Sequence, residues 1–361
     1  MRVVFFFVLV FEYGLVCLIL KVASFVSHST DSSRLKRSWL SFQCYKTWER
    51  QNLALVLASL VDYQHTEILE KGDLLSGKDK WLGGEMSSNG TIYGIPGSSQ
   101  NVLKIVPETG EVSRIGGPFP GKFKWLRGIR ANNGIIYGLP SNADAVLKID
   151  PSTDDISTIG GPFLGDWLWH GGVLAPNNGC IYGIPCNAER VLKVDPSTDE
   201  VSFIGPAFPG RQKWYGGNLA GDGCIYGIPQ NADAVLRVDP RTDEVTRLGG
   251  ALLPAGGWKW HGGVAGPDGC VYGVPAHAGR VLKVDVGEGR PPAVRLIGEE
   301  VERGRHRPDG RYKYGGAVLG GDGRIYCLPS DADRVLRVDP ATEEVVCVGP
   351  PGGGGGGPAA H

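Results

Sequence analysis

The chain has 361 residues, 42% of them hydrophobic, and a formal net charge of −1. That is enough length for one large domain or two ordinary ones and enough apolar content for a full core, while the near-neutral charge carries no mark of a nucleic-acid or charged-membrane partner. Fifty-six glycines and 25 prolines exclude a mainly helical chain and fit short strands joined by tight turns.

Residues 3–20, VVFFFVLVFEYGLVCLIL, are nearly all apolar, with Arg2 before them and Lys21 after. The stretch has the length of a signal-peptide core or a short membrane anchor. Glu12 opposes both readings, because a carboxylate is costly in lipid, and no small-x-small cleavage site follows. Residues 1–27 are therefore set apart as a hydrophobic N-terminal segment: a targeting signal, an anchor, or a stretch with no role in the mature fold. The first two make the protein secreted or membrane-anchored, the third cytoplasmic, and membrane contact is expected through this segment alone. Residues 28–51 read as a polar connector. Asn89-Gly90-Thr91 is a glycosylation sequon in a turn.

From residue 52 to 349 one sentence is written repeatedly. Its clearest copy is Trp169 to Gly205, WHGGVLAPNNGCIYGIPCNAERVLKVDPSTDEVSFIG. Aligned on a shared tyrosine, the copies fall at Tyr93, Tyr137, Tyr182, Tyr226, Tyr272 and Tyr326, with spacings of 44, 45, 44, 46 and 54 residues. In the third copy the spacing predicts four strands. The first runs over Gly171–Ala175, the second over Cys180–Pro185 after an Asn-Gly turn, the third over Val191–Asp195, and the fourth over Glu200–Gly205 after Pro196–Asp199. Four antiparallel strands at a 40–50-residue period make the blade of a β-propeller, so the fold class is all-β with six complete blades. Val61–Ile68 matches Val194–Val201 in pattern, which leaves a partial seventh blade open. The fifth copy replaces its Asp-Pro turn with Val286–Pro291, and an insert over Glu299–Tyr312 stretches the last spacing. Residues 350–361 form a glycine-rich tail expected to be disordered. Cys180, Cys224 and Cys270 share one slot and read as small buried residues rather than disulfide partners.

The unit W-x-G-G, (N/D)-G-x-I-Y-G-I-P, V-L-x-V-D-P-x-T-x-E-V-x-x-I-G resembles the repeat of the YVTN-type propellers, with YGIP standing where YVTN is usual. It is more distantly similar to the SMP-30/gluconolactonase and NHL propellers. The resemblance covers residues 66–349 and implies the fold, not an activity.

In such a blade the loops leading into the first strand and out of the second share one face. That face collects Lys122–Trp125, Trp167–His170, Arg211–Tyr215, Trp258–His261 and Arg311–Tyr314, and reads as aromatic and basic. The insert adds Arg303, Arg305 and Arg307. The opposite face carries Asp150, Asp154, Asp155, Asp195, Asp199, Glu200, Asp239 and Asp243. Candidate ligand residues are Trp125, Trp169, His170, Trp214, Trp260, His261 and Tyr314, with Asn142, Asn187 and Asn231 from the neighbouring loops. Each has a structural alternative: the tryptophans as inter-blade packing, the asparagines as loop caps. Among residues that follow the Gly-Gly pair (Glu85, Ile129, Val173, Asn218, Val264, Ala317), only Glu85 and Asn218 are polar. The gluconolactonase resemblance makes them candidate ligands of Ca²⁺ or another divalent metal by location, although its surrounding motifs and a third ligand are missing.

The sequence holds no nucleophile elbow, phosphate loop or Cys-x-x-Cys. The leading expectation is a monomeric, non-catalytic propeller that binds an acidic glycan or acidic protein on its aromatic face. The alternatives are a metal-dependent hydrolase and a structural repeat protein without a specific ligand.

Overall fold

The structure, a computed structural model, describes residues 77–349 apart from 288 and 305, together with the backbone of two strands near the N-terminus. The chain divides into two compact units, residues 1–68 and 69–361. In the first, Phe7–Phe11 pairs antiparallel with Gly14–Leu18. Among the described residues no helix is long and apolar enough to cross a membrane. The connector, the upstream trace at 61–71 and the glycine tail lie outside the described residues.

The second unit holds six four-stranded antiparallel sheets, each ordered along the chain. Blade 1 spans residues 81–115, blade 2 125–159, blade 3 169–204, blade 4 214–248, blade 5 260–297 and blade 6 314–348. In blade 3 the strands are Trp169–Leu174, Ile181–Pro185, Val191–Asp195 and Glu200–Ile204. The first strand begins two residues before its expected start. Trp169 already pairs with Pro185, and a bulge absorbs the register before Gly172 pairs with Gly183. The Asn-Gly turn forms as read: Gly179 has φ 72° and the Asn178 side chain accepts the Cys180 N–H.

Register also corrects the sixth copy. Val318, not Ala317, stands opposite Tyr326, while Ala317 and Cys327 occupy the slots that are Gly263 and Gly273 in blade 5. The exchange has a packing reason. In blades 3, 4 and 5 a Cβ on the first-strand glycine would strike Leu139, Ile184 or Ile228 of the blade before. The corresponding residue of blade 5 is Val274, one carbon smaller, which leaves room for Ala317 and Cys327.

Polar clamps on the outer half join consecutive blades. Tyr93, Tyr137 and Tyr182 donate to Asp154, Asp199 and Asp243 of the following blade. Lys104, Lys148 and Lys193 reach the other oxygen of the same carboxylates. Blade 5 lacks the Asp-Pro turn that carries this aspartate, so Tyr226 turns to Asp222 in its own hairpin. Between blades 5 and 6 a different acid, Glu343, takes Lys283 and Arg295. These two cations hold the Glu343 carboxyl down at about 2. A depressed carboxylate stabilises the fold above its unfolded pKa, near 4.5, and loses that contribution as the pH falls through its folded value. Glu343→Gln should therefore unfold about 1 kcal/mol more easily at pH 6, after allowance for solvent screening. Denaturant titrations should find this gap shrinking between pH 4.5 and 2; a gap independent of pH would refute the clamp.

A second contact marks each blade boundary. The glycine ending the fourth strand has positive φ, and a Cβ there would lie within 3 Å of a β-branched residue in the next blade: Gly116 on Ile156, Gly160 on Val201, Gly205 on Val245, Gly249 on Val294, Gly298 on Val345. The sixth copy, Gly349, meets nothing within 4 Å. Innermost strands pack in sequence from blade 1 to blade 6, without comparable packing of blade 6 on blade 1. Leu82 and Met86 on blade 1, and Val318, Leu319 and Leu328 on blade 6, are exposed accordingly.

Candidate functional site

The five expected ring residues are not at the surface. Trp125, Trp169, Trp214, Trp260 and Tyr314 are between 0 and 3% exposed. Each indole N–H donates to a backbone carbonyl of its own blade, at Ala145, Arg190, Ala234 and Arg280. A ligand cannot reach them, and their recurrence is the recurrence of a core position. The asparagines are committed too. Asn142, Asn187 and Asn231 accept the backbone N–H of Trp167, Gln212 and Trp258 in the next blade. Their amides donate back to Lys122, Asp166 and Arg211 carbonyls. They shape loops rather than line a binding surface.

The basic character of this face also contracts. Lys124, Lys213, Lys259 and Lys313 are 3–4% exposed. Lys213 donates to the carbonyls of Cys186, Ala188 and Gly210, and Lys124 to those of Gly97, Ser99 and Gly121. These ammonium groups staple one blade's loop to the next. Burial pushes Lys213 down to about 8, against the pull of the nearby Cys186 and Glu189 side chains. The acids of the opposite face are likewise engaged: Asp150 and Asp195 hold their own turns through Ser152 and Ser197, and Asp239 is gripped by Arg241 and Arg237.

What remains is the mouth of the central channel. Gly83, Gly84, Gly128, Gly171, Gly172, Gly216 and Gly217, with Glu85, Arg127 and Ile129, line a cavity of about 410 Å³. The other five blades carry glycine (Gly83, Gly171, Gly216, Gly262, Gly316) where blade 2 carries Arg127. Just before those glycines, at the rim, the chain places His170, Tyr215 and His261. The His170 and Tyr215 rings stack at 3.7 Å, and Tyr215 meets His261 at 4.0 Å. Two histidines two blades apart are thus joined through Tyr215. Burial, then the nearby Arg127 and His261, push His170 down to about 4. Burial also lowers His261, and its Nδ1 lies 2.8 Å from the Gly315 carbonyl. A carbonyl only accepts, so Nδ1 carries the proton and Nε2 keeps its lone pair.

A methyl on Gly128 would meet Glu85 Cβ, and one on Gly263 would meet Asn218 Nδ2. Burial raises the Glu85 pKa, and the Arg130 cation opposes it. Among the described residues no group of three or more His, Cys, Asp or Glu is arranged to hold a metal ion. The insert is ion-paired both internally and to the last blade: Arg307 bonds Asp309, His306 approaches Asp333, and Glu302 reaches Arg334. Arg307 also lies over the Tyr312 ring at 6.0 Å.

Reading residues after the Gly-Gly pair finds Glu85 and Asn218 but passes over Arg127, which replaces the first glycine itself. The signal was present in the string WLRGI set beside WHGGV.

No family model matches the chain, and no curated protein matches it. Among solved structures, virginiamycin B lyase from Staphylococcus aureus aligns with a TM-score of 0.57 at 14% identity, over 77% of this chain and 86% of that one. A streptogramin B lyase aligns at 0.55 and 15%, over 77% and 85%. A candidate 6-phosphogluconolactonase from Bacteroides uniformis aligns at 0.51 and 12%, over 77% and 86%. At such identities the likeness establishes the fold, a β-propeller, and nothing about chemistry.

Proposed function

We propose that this chain is a non-catalytic binding propeller whose ligand is an acidic sugar seated at the channel mouth. The observation that carries the reading is Arg127, a cation in a slot that is glycine in the five other blades, lining a cavity otherwise walled largely by glycine. A guanidinium offers paired N–H donors to a carboxylate or phosphate. The His170–Tyr215–His261 rim offers flat, largely neutral ring faces beside it. A cavity of about 410 Å³ suits a small ligand or the end of a glycan better than a protein surface. A glycan array tests this: carboxylated sugars should bind and their neutral counterparts should not, and equal retention of both would sink the reading.

A second reading is favoured by His261 alone. A neutral imidazole with its tautomer fixed by Gly315 can act as a general base, with Arg127 near enough to lower its pKa and to receive developing negative charge. Two of the fold neighbours are named as lyases. Conversion of a bound sugar, seen by mass spectrometry and lost in His261→Gln, would select this reading over simple binding.

A further inference from the structure

We propose that the ligand is an acidic oligosaccharide, with one charged unit in the cavity at Arg127 and the next unit held outside it on Tyr312 and Trp258. This rests on the reading of the channel mouth as an acidic-sugar site and extends it outward.

The rim does not stop at His261. His170, Tyr215, His261, Tyr312 and Trp258 form one unbroken run of ring contacts, with centroid separations of 3.7, 4.0, 5.3 and 6.2 Å. At the inner end His170 feels the Arg127 cation, and the outer end reaches solvent, where Trp258 is 36% exposed. Stacked rings along a path are suited to the apolar faces of successive sugar rings. A second cation stands near the outer end: Arg307, 6.0 Å over Tyr312 and shared with Asp309. Cations near both ends of an aromatic track fit a chain of acidic units better than a single one.

Backbone conformation singles out the same residues. The position two before the buried Trp or Tyr of each blade is left-handed in all six copies, with φ of 48° at Asp79, 52° at Phe123, 55° at Trp167, 51° at Gln212, 54° at Trp258 and 60° at Tyr312. The loop imposes this conformation, since Asp79 and Gln212 adopt it too. Bulky side chains are among the least suited to it, and glycine or asparagine would relieve the strain. Four blades nevertheless place an aromatic there. For Phe123 and Trp167, ring contact at 5.2 Å supplies a packing reason. For a ring as exposed as Trp258, packing offsets little of the strain, and strain kept at an exposed site points to use of the ring.

The experiment is calorimetric titration of the full-length protein with oligogalacturonates and glucuronate oligosaccharides of one, two and four units. The two-unit ligand should bind about tenfold more tightly than the single unit. Trp258→Asn should abolish that gain, leave the single-unit affinity unchanged, and leave the melting temperature equal or higher, because asparagine suits the left-handed backbone. No gain with length, or a gain that survives both Trp258→Asn and Tyr312→Asn, overturns the inference while leaving the channel-mouth reading intact. A drop in melting temperature, with the gain retained, assigns Trp258 to packing and overturns it as well. Failure of every acidic sugar to bind overturns the channel-mouth reading itself, and this extension with it.

Discussion

Trp214→Ala is expected to lower the stability of the propeller by about 3–5 kcal/mol and its melting temperature by roughly 10 °C. The indole is 1% exposed and sits in a cluster drawn from blades 3 and 4, with Tyr182, Ile184 and Val191 on one side and Phe208, Ile225 and Leu236 on the other. Phe208 meets it edge-on at 5.2 Å. Its N–H donates to the Ala234 carbonyl at 2.8 Å, so truncation leaves both a void and an unpaired buried acceptor. The neighbourhood is a strand-lined boundary between sheets that cannot collapse without shifting a blade, which puts the cost toward the upper end of the range. Equilibrium denaturation measures it. A loss below about 1 kcal/mol would return Trp214 to the list of surface residues held for a ligand. The exposed Trp258, two positions before the equivalent Trp260, serves as the contrast.

That contrast explains what could be read from the residues and what could not. Blade architecture was legible because its determinants are local: Asn178-Gly179 makes its turn within four residues, and Asp195 bonds Ser197 two residues on. Solvent exposure was not local. Lys213 looks like a rim lysine in the string Arg211-Gln212-Lys213-Trp214. Two of the carbonyls that bury it belong to Cys186 and Ala188, 27 and 25 residues away in another blade. Backbone acceptors leave no mark in a sequence, so an aromatic and basic face resolved into buried staples and buried tryptophans. His170 and His261 failed to read as neighbours for a related reason. Their link is Tyr215, whose ring in the slot after the buried Trp meets both imidazoles.

The aspartates of the opposite face show the same limit from the other side. As a series they look like an acidic surface. Once blades are placed side by side, Asp154, Asp199 and Asp243 become acceptors for a tyrosine and a lysine about 50–60 residues earlier. They also sit at positive φ, where aspartate is among the better-tolerated side chains. Repetition reported a joint between blades, and a charge count could not distinguish that from a field. Departures from repetition were the sounder guide. The altered turn of the fifth copy coincides with one of the boundaries where the Tyr–Asp clamp is missing, and the arginine at position 127 coincides with the channel cavity.

Arg127→Gly is the substitution with the largest expected effect on function. Glycine already occupies this slot in the five other blades, so the fold should accept it with a change of less than about 1 kcal/mol. If the guanidinium holds a carboxylate, its removal forfeits a charge-assisted pair worth about 1.5–3 kcal/mol, or roughly 10- to 100-fold in affinity. Arg127→Lys keeps the charge but not the paired N–H geometry and should fall between the two. Affinity of the unaltered protein should also weaken as salt is raised, because the cavity is open to solvent at its mouth, and the glycine variant should lose that salt dependence. The neighbouring histidines give an internal check. Arg127 is one of the charges that hold His170 and His261 below their ordinary pKa, burial being the larger cause, so both should titrate at higher pH in Arg127→Gly. An NMR titration of the two imidazoles reads that shift without any ligand. Imidazoles that do not move would place Arg127 away from the rim and dissolve the site; imidazoles that move while sugar affinity stays constant would keep the geometry and reject the ligand.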